Sequence, residues 1–360
     1  MNILHIADIN YNLNEGVRTV VESLIKVQKD LGQNVSMLNV TKNSVKNDDE
    51  LKCDCGYEFA IDRFSPDIVI LHSIYSFHYV KIAKILKKKE IPYLVQLHGA
   101  GNYLAQRRKW WKKIIFNAIW GRKIISNAAG VIYLNTQEMD GDVAYTKVRK
   151  KAIIIPNGIF QHDKITSQTN NNNIIRFCFL SRVDVFNKGL DVLLEGWNKF
   201  YINSDHNYEL RIYGSIAKAR DKRHFNNILK KYGLGVNYYG QVSGEEKKMA
   251  YMSSDIFVLP SRFEGMPMSV LEALSYGLPC IVTRETNFLD IIEDNHCGWG
   301  VELTAESVRA MLEIASTEYK TNRNTLKERS IIASQKYTWD KIGMLSLKSY
   351  DSILNEINSR

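Results

Sequence analysis

A chain of 360 residues that is 45% hydrophobic and 24% charged can bury two cores, which excludes a disordered segment and a small disulfide-stapled domain. No run approaches eighteen uninterrupted apolar residues, which excludes a hydrophobic membrane-spanning helix. The net charge of +9 is lopsided, with 23 Lys+Arg against 15 Asp+Glu in residues 1–160 and 25 against 24 in the remainder, so the N-terminal half is expected to face something anionic.

The opening MNILHIADINYN has neither a basic n-region nor a cleavage site and reads as a first β-strand, Asn2–Ala7. Further apolar runs follow at Asn34–Val40, Asp67–His72, Tyr93–His98 and Gly130–Asn135, alternating with helical patterns. Between the last two lies QRRKWWKKIIFNAIWGRKII (Gln106–Ile125), with seven basic residues among bulky apolar ones. At about 100° per residue, Trp111, Ile114, Ile115 and Ala118 share a face expected to pack on the sheet. Phe116 and Trp120 then fall among Lys109, Lys112, Lys113 and Lys123, the composition of a helix lying on an anionic bilayer. A second basic run, Lys87–Glu90, adds to it. The alternative is that Phe116 and Trp120 pack under a neighbouring loop while the lysines snorkel into water.

KAIIIPNGI (Lys151–Ile159) reads as the last strand of a first unit, and the polar stretch Gln161–Asn173 is a linker by composition. The alternation restarts at Ile174–Leu180, Tyr208–Gly214, Val236–Gly240, Asp255–Leu259 and Pro279–Thr283. The expected domains are therefore 1–165 and 174–337, each a doubly wound parallel α/β unit, with an amphipathic C-terminal helix in 338–360 crossing back to the first. The five cysteines (Cys53, Cys55, Cys178, Cys280, Cys297) are odd in number and lack CxxC spacing. That points to free thiols in a reducing, cytoplasmic setting and away from structural zinc.

Two segments carry the chemistry. In SRFEGMPMSVLEALSYGLP the strand before Pro260 ends in a loop, and a helix begins near Pro267 or Met268. Glu264 lies in that loop and Glu272 one turn into the helix, on either side of amides at Gly265, Met268 and Ser269 that make an anion site. Ser269 and Glu272 also have the spacing of a capping box, a purely structural use. In FLSRVDVFNKGLDVLLEGW a strand delivers Arg182, and Lys188 and Gly189 open a helix. Both cations lie at the carboxyl end of a parallel sheet, where ligands bind, and together can neutralise a diphosphate.

Taken together these segments resemble the family 4 retaining glycosyltransferases of the GT-B fold. The likeness rests on a Glu, seven residues and a second Glu (Glu264, Glu272), and on Arg182 with Lys188. EGVRTVVESL, QLHGAGN, IPNGI and IYGS support it, while the first loop has a single Gly16 where many relatives carry two glycines. The resemblance implies two Rossmann-like domains facing each other across a cleft and a nucleoside diphosphate-sugar donor, a UDP-sugar being favoured. It implies transfer with retention to a hydroxyl acceptor, lipid-linked if the basic helix meets the membrane, in polysaccharide or glycolipid synthesis on the inner face of the cytoplasmic membrane. By the same resemblance Arg182 and Lys188 stabilise the leaving diphosphate, Glu264 binds the transferred sugar and Glu272 the ribose. Gly265, Met266, Met268, Ser269, Gly214 and Gly16 approach the donor, and His98 reaches the sugar from the first domain.

No metal is expected: Asp140-Gly141-Asp142 is a formal D-x-D match, but it lies far in sequence from the phosphate site. The rival readings are a nucleotide-sugar epimerase or hydrolase of the same fold and a basic nucleic-acid-binding protein. The first lacks the paired Glu and Arg–Lys arrangement. No nucleic-acid motif appears for the second, and no GxGxxG follows the first strand to suggest NAD.

Overall fold

The computed structural model describes residues 1–9, 16–41, 51, 56–107, 110–144, 148, 150–161 and 174–359. The chain forms two compact units, Met1–Gly158 together with Trp339–Arg360, and Ile159–Thr338.

The first unit is built on β1 (Asn2–Ala7), β2 (Asn34–Asn39), β3 (Ile68–Leu71), β4 (Tyr93–Gln96), β5 (Gly130–Tyr133) and β6 (Ala152–Ile154). They form one parallel sheet in the order β2-β1-β3-β4-β5-β6. Runs such as Ile68–Leu71 are buried along their whole length, as strands covered on both faces must be. The helix Gly16–Asp30 follows β1, and the C-terminal helix Trp339–Asn358 lies against it. The two approach closely because Gly343 has no side chain: a Cβ there would sit 2.7 Å from Val27 Cγ1.

The second unit holds β7 (Ile175–Leu180), β8 (Tyr208–Tyr213), β9 (Val236–Gly240), β10 (Ile256–Leu259), β11 (Cys280–Val282) and β12 (Gly298–Gly300). The parallel order is β12-β11-β10-β7-β8-β9. Its core gathers Phe177, Phe179, Trp197 and Phe257, all fully buried. β12 is absent from the sequence reading because Gly-Trp-Gly has neither the length nor the alternation of a strand. The strand order reverses between β7 and β10, so the loops leaving them turn to opposite faces and open a crevice at their carboxyl ends.

Among the described residues no helix is long and apolar enough to cross a membrane. Cys178, Cys280 and Cys297 are buried free thiols. Cys53, Cys55 and nearly all of the linker stretch Gln161–Asn173 lie outside the described residues.

Candidate active site

The loops after β7 and β10 bring Lys188 and Glu264 together as an ion pair, although 76 residues separate them. The two side chains are 12% and 14% exposed. Ser261 Oγ donates to the same Glu264 oxygen, Oε1, at 2.8 Å. Among the described residues no donor reaches Oε2, which leaves that oxygen to accept from a ligand.

Three devices hold this pair in place. Arg262 forks onto both oxygens of Asp191 at 2.8 Å, its guanidinium lies 4.2 Å over the Phe186 ring, and its amide donates to Asn187 O. The β10 loop is thereby tied to the β7 loop. Asn287, in the left-handed conformation that asparagine tolerates, donates to the carbonyls of Glu264 and Gly265 at 2.9 Å each. Gly189 (φ +66°) packs onto the end of β10, where a Cβ would sit 1.9 Å from Pro260 O.

Arg182 is exposed, and among the described residues its guanidinium has no ion pair or hydrogen bond. Gly214 follows β8 with φ +151° and crosses the Ser181 carbonyl so closely that no side chain fits. Four residues singled out by their motifs thus meet at one sheet end: Arg182, Lys188, Gly214 and Glu264.

The helix after β10 runs from Met268 to Ser275 with Pro267 at its N-cap and no side-chain cap. With Ser269 two residues inside the helix and Glu272 five, no capping box forms. Buried Glu272 instead accepts from Lys247 Nζ at 2.5 Å and from the Tyr251 hydroxyl at 2.8 Å. Burial, reinforced by the Glu272 charge, pushes the Tyr251 pKa well up, so that phenol remains a donor. Each Glu272 oxygen keeps a second lone pair for a ligand hydroxyl. The first amides of the helix, at Met268 and Ser269 beyond Gly265 and Met266, are the ones that lack intrahelical acceptors.

In the first unit His98 follows β4 with φ +50°, next to Gly99 with φ +82°. The Glu138 carboxylate pins this turn by accepting from the amides of Gly99 and Leu134. Burial raises the Glu138 pKa, partly offset by those two hydrogen bonds. His98 Nε2 lies 3.1 Å from His72 Nδ1, and burial lowers its pKa to about 4. Gly16 opens the first helix with nothing within 4 Å of a Cβ built on it; the loop before it lies outside the described residues.

Asp140 and Asp142 do not act together. Asp140 is exposed, whereas Asp142 is buried, accepting from the Tyr133 hydroxyl at 2.8 Å and the Ala144 amide at 2.9 Å. Among the described residues no three His, Cys, Asp or Glu side chains are arranged to hold a metal ion.

The basic aromatic segment is oriented opposite to expectation. Phe116 and Trp120 turn inward onto the core with Tyr75, at a ring separation of 5.5 Å for Tyr75–Phe116, and the exposed Phe77 ring lies 5.1 Å from Trp120. Trp110, Trp111, Ile114, Ile115 and Ile119 are 46–60% exposed. The grouping by 100° holds, with Trp111, Ile114, Ile115 and Ala118 exposed together and Phe116 paired with Trp120, but it is the second face that meets the core. The chain here runs as the helix Trp110–Phe116, a π-turn over Asn117–Gly121 and the helix Arg122–Asn127. Lys112 and Lys123 are exposed, while Lys113 is half-buried and donates to Ala105 O at 2.6 Å. Lys109 lies outside the described residues. In the Lys87–Glu90 run, Lys88 and Lys89 are met by Glu58, and Lys89 also by Asp62 at 2.8 Å.

Sequence reasoning missed Lys247, Tyr251, Arg262 and Asn287. Arg262 lay inside a motif already singled out. Lys247 and Tyr251 come from a helix, Gly244–Met252, that carries no motif.

A family model described as Glycosyl transferases group 1 matches residues 161–330, and one described as Glycosyltransferase Family 4 matches residues 55–160. An uncharacterized glycosyltransferase of Methanocaldococcus jannaschii is 25% identical over 94% of this chain and 95% of its own. The UDP-Gal:alpha-D-GlcNAc-diphosphoundecaprenol alpha-1,3-galactosyltransferase of Escherichia coli is 47% identical over 14% of this chain and 13% of its own. Among solved structures, HepE of Anabaena in complex with UDP and glucose superposes with a TM-score of 0.75 at 12% identity, over 98% of this chain and 100% of that one. Matched in both units and sharing the fold throughout, the chain belongs to the family 4 glycosyltransferases of the GT-B fold.

Proposed function

We propose that this glycosyltransferase takes a UDP-sugar and transfers the sugar, with retention, to a hydroxyl of a lipid-linked glycan. The observation that carries the donor half is the part-buried Lys188–Glu264 pair together with the exposed Arg182, unpaired among the described residues, at the strand-order reversal of the second unit. An ammonium has three donors, so Lys188 can keep Glu264 and still bind a phosphate oxygen. Arg182 adds a second positive charge for the diphosphate. The free oxygen of Glu264 accepts a hydroxyl of the transferred sugar, Glu272 accepts from the ribose, and His98 supplies a hydrogen bond to the sugar. In a displacement through an oxocarbenium-like state the negative charge grows on the departing diphosphate, which is where both cations act. The UDP choice is supported by the UDP and glucose held in the Anabaena relative, and no metal is assigned a role.

The lipid half is supported by the diphosphoundecaprenol-linked substrate named for the Escherichia coli relative and by the exposed Trp110, Trp111, Ile114, Ile115 and Ile119 beside Lys112 and Lys123. Such a patch suits peripheral binding to an anionic membrane surface. Thermal stabilisation by UDP-, GDP- and ADP-sugars, for wild type and Arg182→Ala, tests the donor site. A shift with UDP-sugars alone, diminished in the variant, is expected. A shift with another base class corrects the donor, and equal shifts in the two proteins overturn the role of Arg182.

A further inference from the structure

Three histidines lie in one row in the first unit. His5 in β1 and His72 just beyond β3 are buried, and His98 beyond β4 is half-buried. His5 Nε2 is 2.8 Å from Gln28 Oε1, His5 Nδ1 is 2.8 Å from His72 Nε2, and His72 Nδ1 is 3.1 Å from His98 Nε2. Successive ring planes differ by 20° and 23°, with centroids 5.1 and 5.3 Å apart. At those nitrogen separations the rings meet edge to edge, in line, rather than face to face. The row therefore crosses three adjacent strands as a chain of N–H···N bonds and ends on the helix Gly16–Asp30.

Two directions of donation satisfy such a row. In one, every histidine carries its proton on Nε2 and the last donates to the Gln28 amide oxygen. In the other, every proton sits on Nδ1 and Gln28 turns its NH₂ towards His5. The far side of Gln28 distinguishes them. Ser346, on the C-terminal helix, donates its hydroxyl to Gly343 O at 2.7 Å, so its oxygen accepts from Gln28 Nε2 at 2.9 Å. That leaves Oε1 facing His5. Reversal would turn Gln28 Oε1 away from His5 towards Ser346 and the Tyr350 hydroxyl beside it, and put all three rings in the tautomer that a free histidine side chain favours less. Burial keeps the row neutral: it lowers the His5 and His98 pKa values to about 4, and His72 falls well below its ordinary value through burial and its two histidine neighbours, against the opposing hydrogen bond of the buried Gln96 side chain.

We propose that Gln28, His5 and His72 are positioning residues that hold His98 as the Nε2–H tautomer and so present its Nδ1 as a hydrogen-bond acceptor to a substrate hydroxyl. The inference rests on reading His98 as a sugar contact. An acceptor nitrogen selects a hydroxyl-bearing group and rejects a phosphate or carbonyl oxygen, so the row sets which chemical class His98 can recognise. The C-terminal helix takes part through Ser346, although 248 positions separate that serine from His98.

The test uses the full chain with isotopically labelled histidine, read by long-range nitrogen–proton correlation, His98 being assigned by loss of its signals in His98→Ala. Wild type is expected to show a protonated Nε2 and a bare Nδ1 at His98. Gln28→Met removes the terminal acceptor and should give a mixture of tautomers there. Its kcat should fall about tenfold, the rate equivalent of one ordinary hydrogen bond, with the donor KM within about twofold. Ser346→Ala, a milder change, should shift both readouts the same way, and covers the case in which Gln28→Met does not fold. The double variant Gln28→Met/His98→Ala should be no slower than His98→Ala alone, which a merely structural Gln28 would not produce. A bare Nε2 in wild type, tautomers unmoved in both Gln28→Met and Ser346→Ala, or fully additive losses would overturn the proposal. A transfer rate untouched by His98→Ala would instead remove His98 from the donor reading and with it the kinetic half of the proposal, while the nitrogen shifts decide the wiring independently.

Discussion

Gly189→Ala tests whether the backbone crossing beneath Lys188 holds the donor site together. Gly189 has φ +66°, a conformation that costs alanine about 1–2 kcal/mol. Its new Cβ would sit 1.9 Å from Pro260 O, and ordinary contact begins at 3.4 Å, so the loop must retreat from β10 by about 1.5 Å. Forcing a methyl into a packed site adds about 1–3 kcal/mol, giving about 2–5 kcal/mol in all. At about 2–4 °C per kcal/mol for a unit of this size, the second unit should melt about 4–20 °C lower. The retreat also carries Lys188 away from Glu264. A misplacement of about 1 Å at a reacting centre can cost about 10²-fold, so kcat/KM should fall by at least about tenfold. Calorimetry and initial rates with a UDP-sugar measure the two effects. Gly32→Ala is the control, because Gly32 has φ +80° and open space around it, so it carries the strain without the clash. A Gly189→Ala protein that melts within about 2 °C of wild type at full kcat/KM would refute the reasoning.

Two further outcomes are expected. His5 is depressed from 6.5 to about 4, so the unfolded chain takes up the proton first: stability is intact above pH 6.5 and is lost as pH falls to about 4. That one group accounts for about 3 kcal/mol, so the melting temperature of the first unit should drop across this window, and a flat profile would contradict a neutral row. Trp111→Ser/Ile115→Ser should weaken binding to anionic vesicles at unchanged melting temperature, whereas Phe116→Ala should leave binding intact and cost about 2 kcal/mol. The opposite pattern would restore the outward placement of Phe116 and Trp120.

Much of this architecture is legible in the sequence, because fully buried parallel strands leave apolar runs bounded by turn residues. Ile68–Leu71 and Ile256–Leu259 are such runs, and both were expected. The Lys188–Glu264 meeting was legible for a related reason: each residue follows a strand, and parallel topology delivers both to one end of one sheet. What escaped depended on facts that a period does not encode. The inward face of the Gln106–Ile125 segment was set by packing of Phe116 and Trp120 against the core, because both faces carry bulky apolar residues and a projection groups them without saying which group is buried. The Glu272 capping reading failed because Pro267 takes the N-cap and moves Ser269 inside the helix. His5 and His72 were visible as polar residues in apolar strands, but only the parallel pairing of β1 with β3 and β3 with β4 puts them in a row with His98.

The two proposed phosphate cations differ in a way that assigns them different work. Lys188 is only 12% exposed in the folded chain and already paired, so a diphosphate reaching it displaces little water and meets a fixed charge. Arg182 is solvated and unpaired, so it can attract an anion at range but must give up water and side-chain freedom to bind it. Interactions preorganised before the reaction stabilise developing charge most strongly, because nothing need reorganise when the bond breaks. On this argument Lys188→Ala should lower kcat more than it raises the donor KM, and Arg182→Ala should do the reverse. Equal effects of the two substitutions on both constants would mean that burial and pairing do not distinguish their roles.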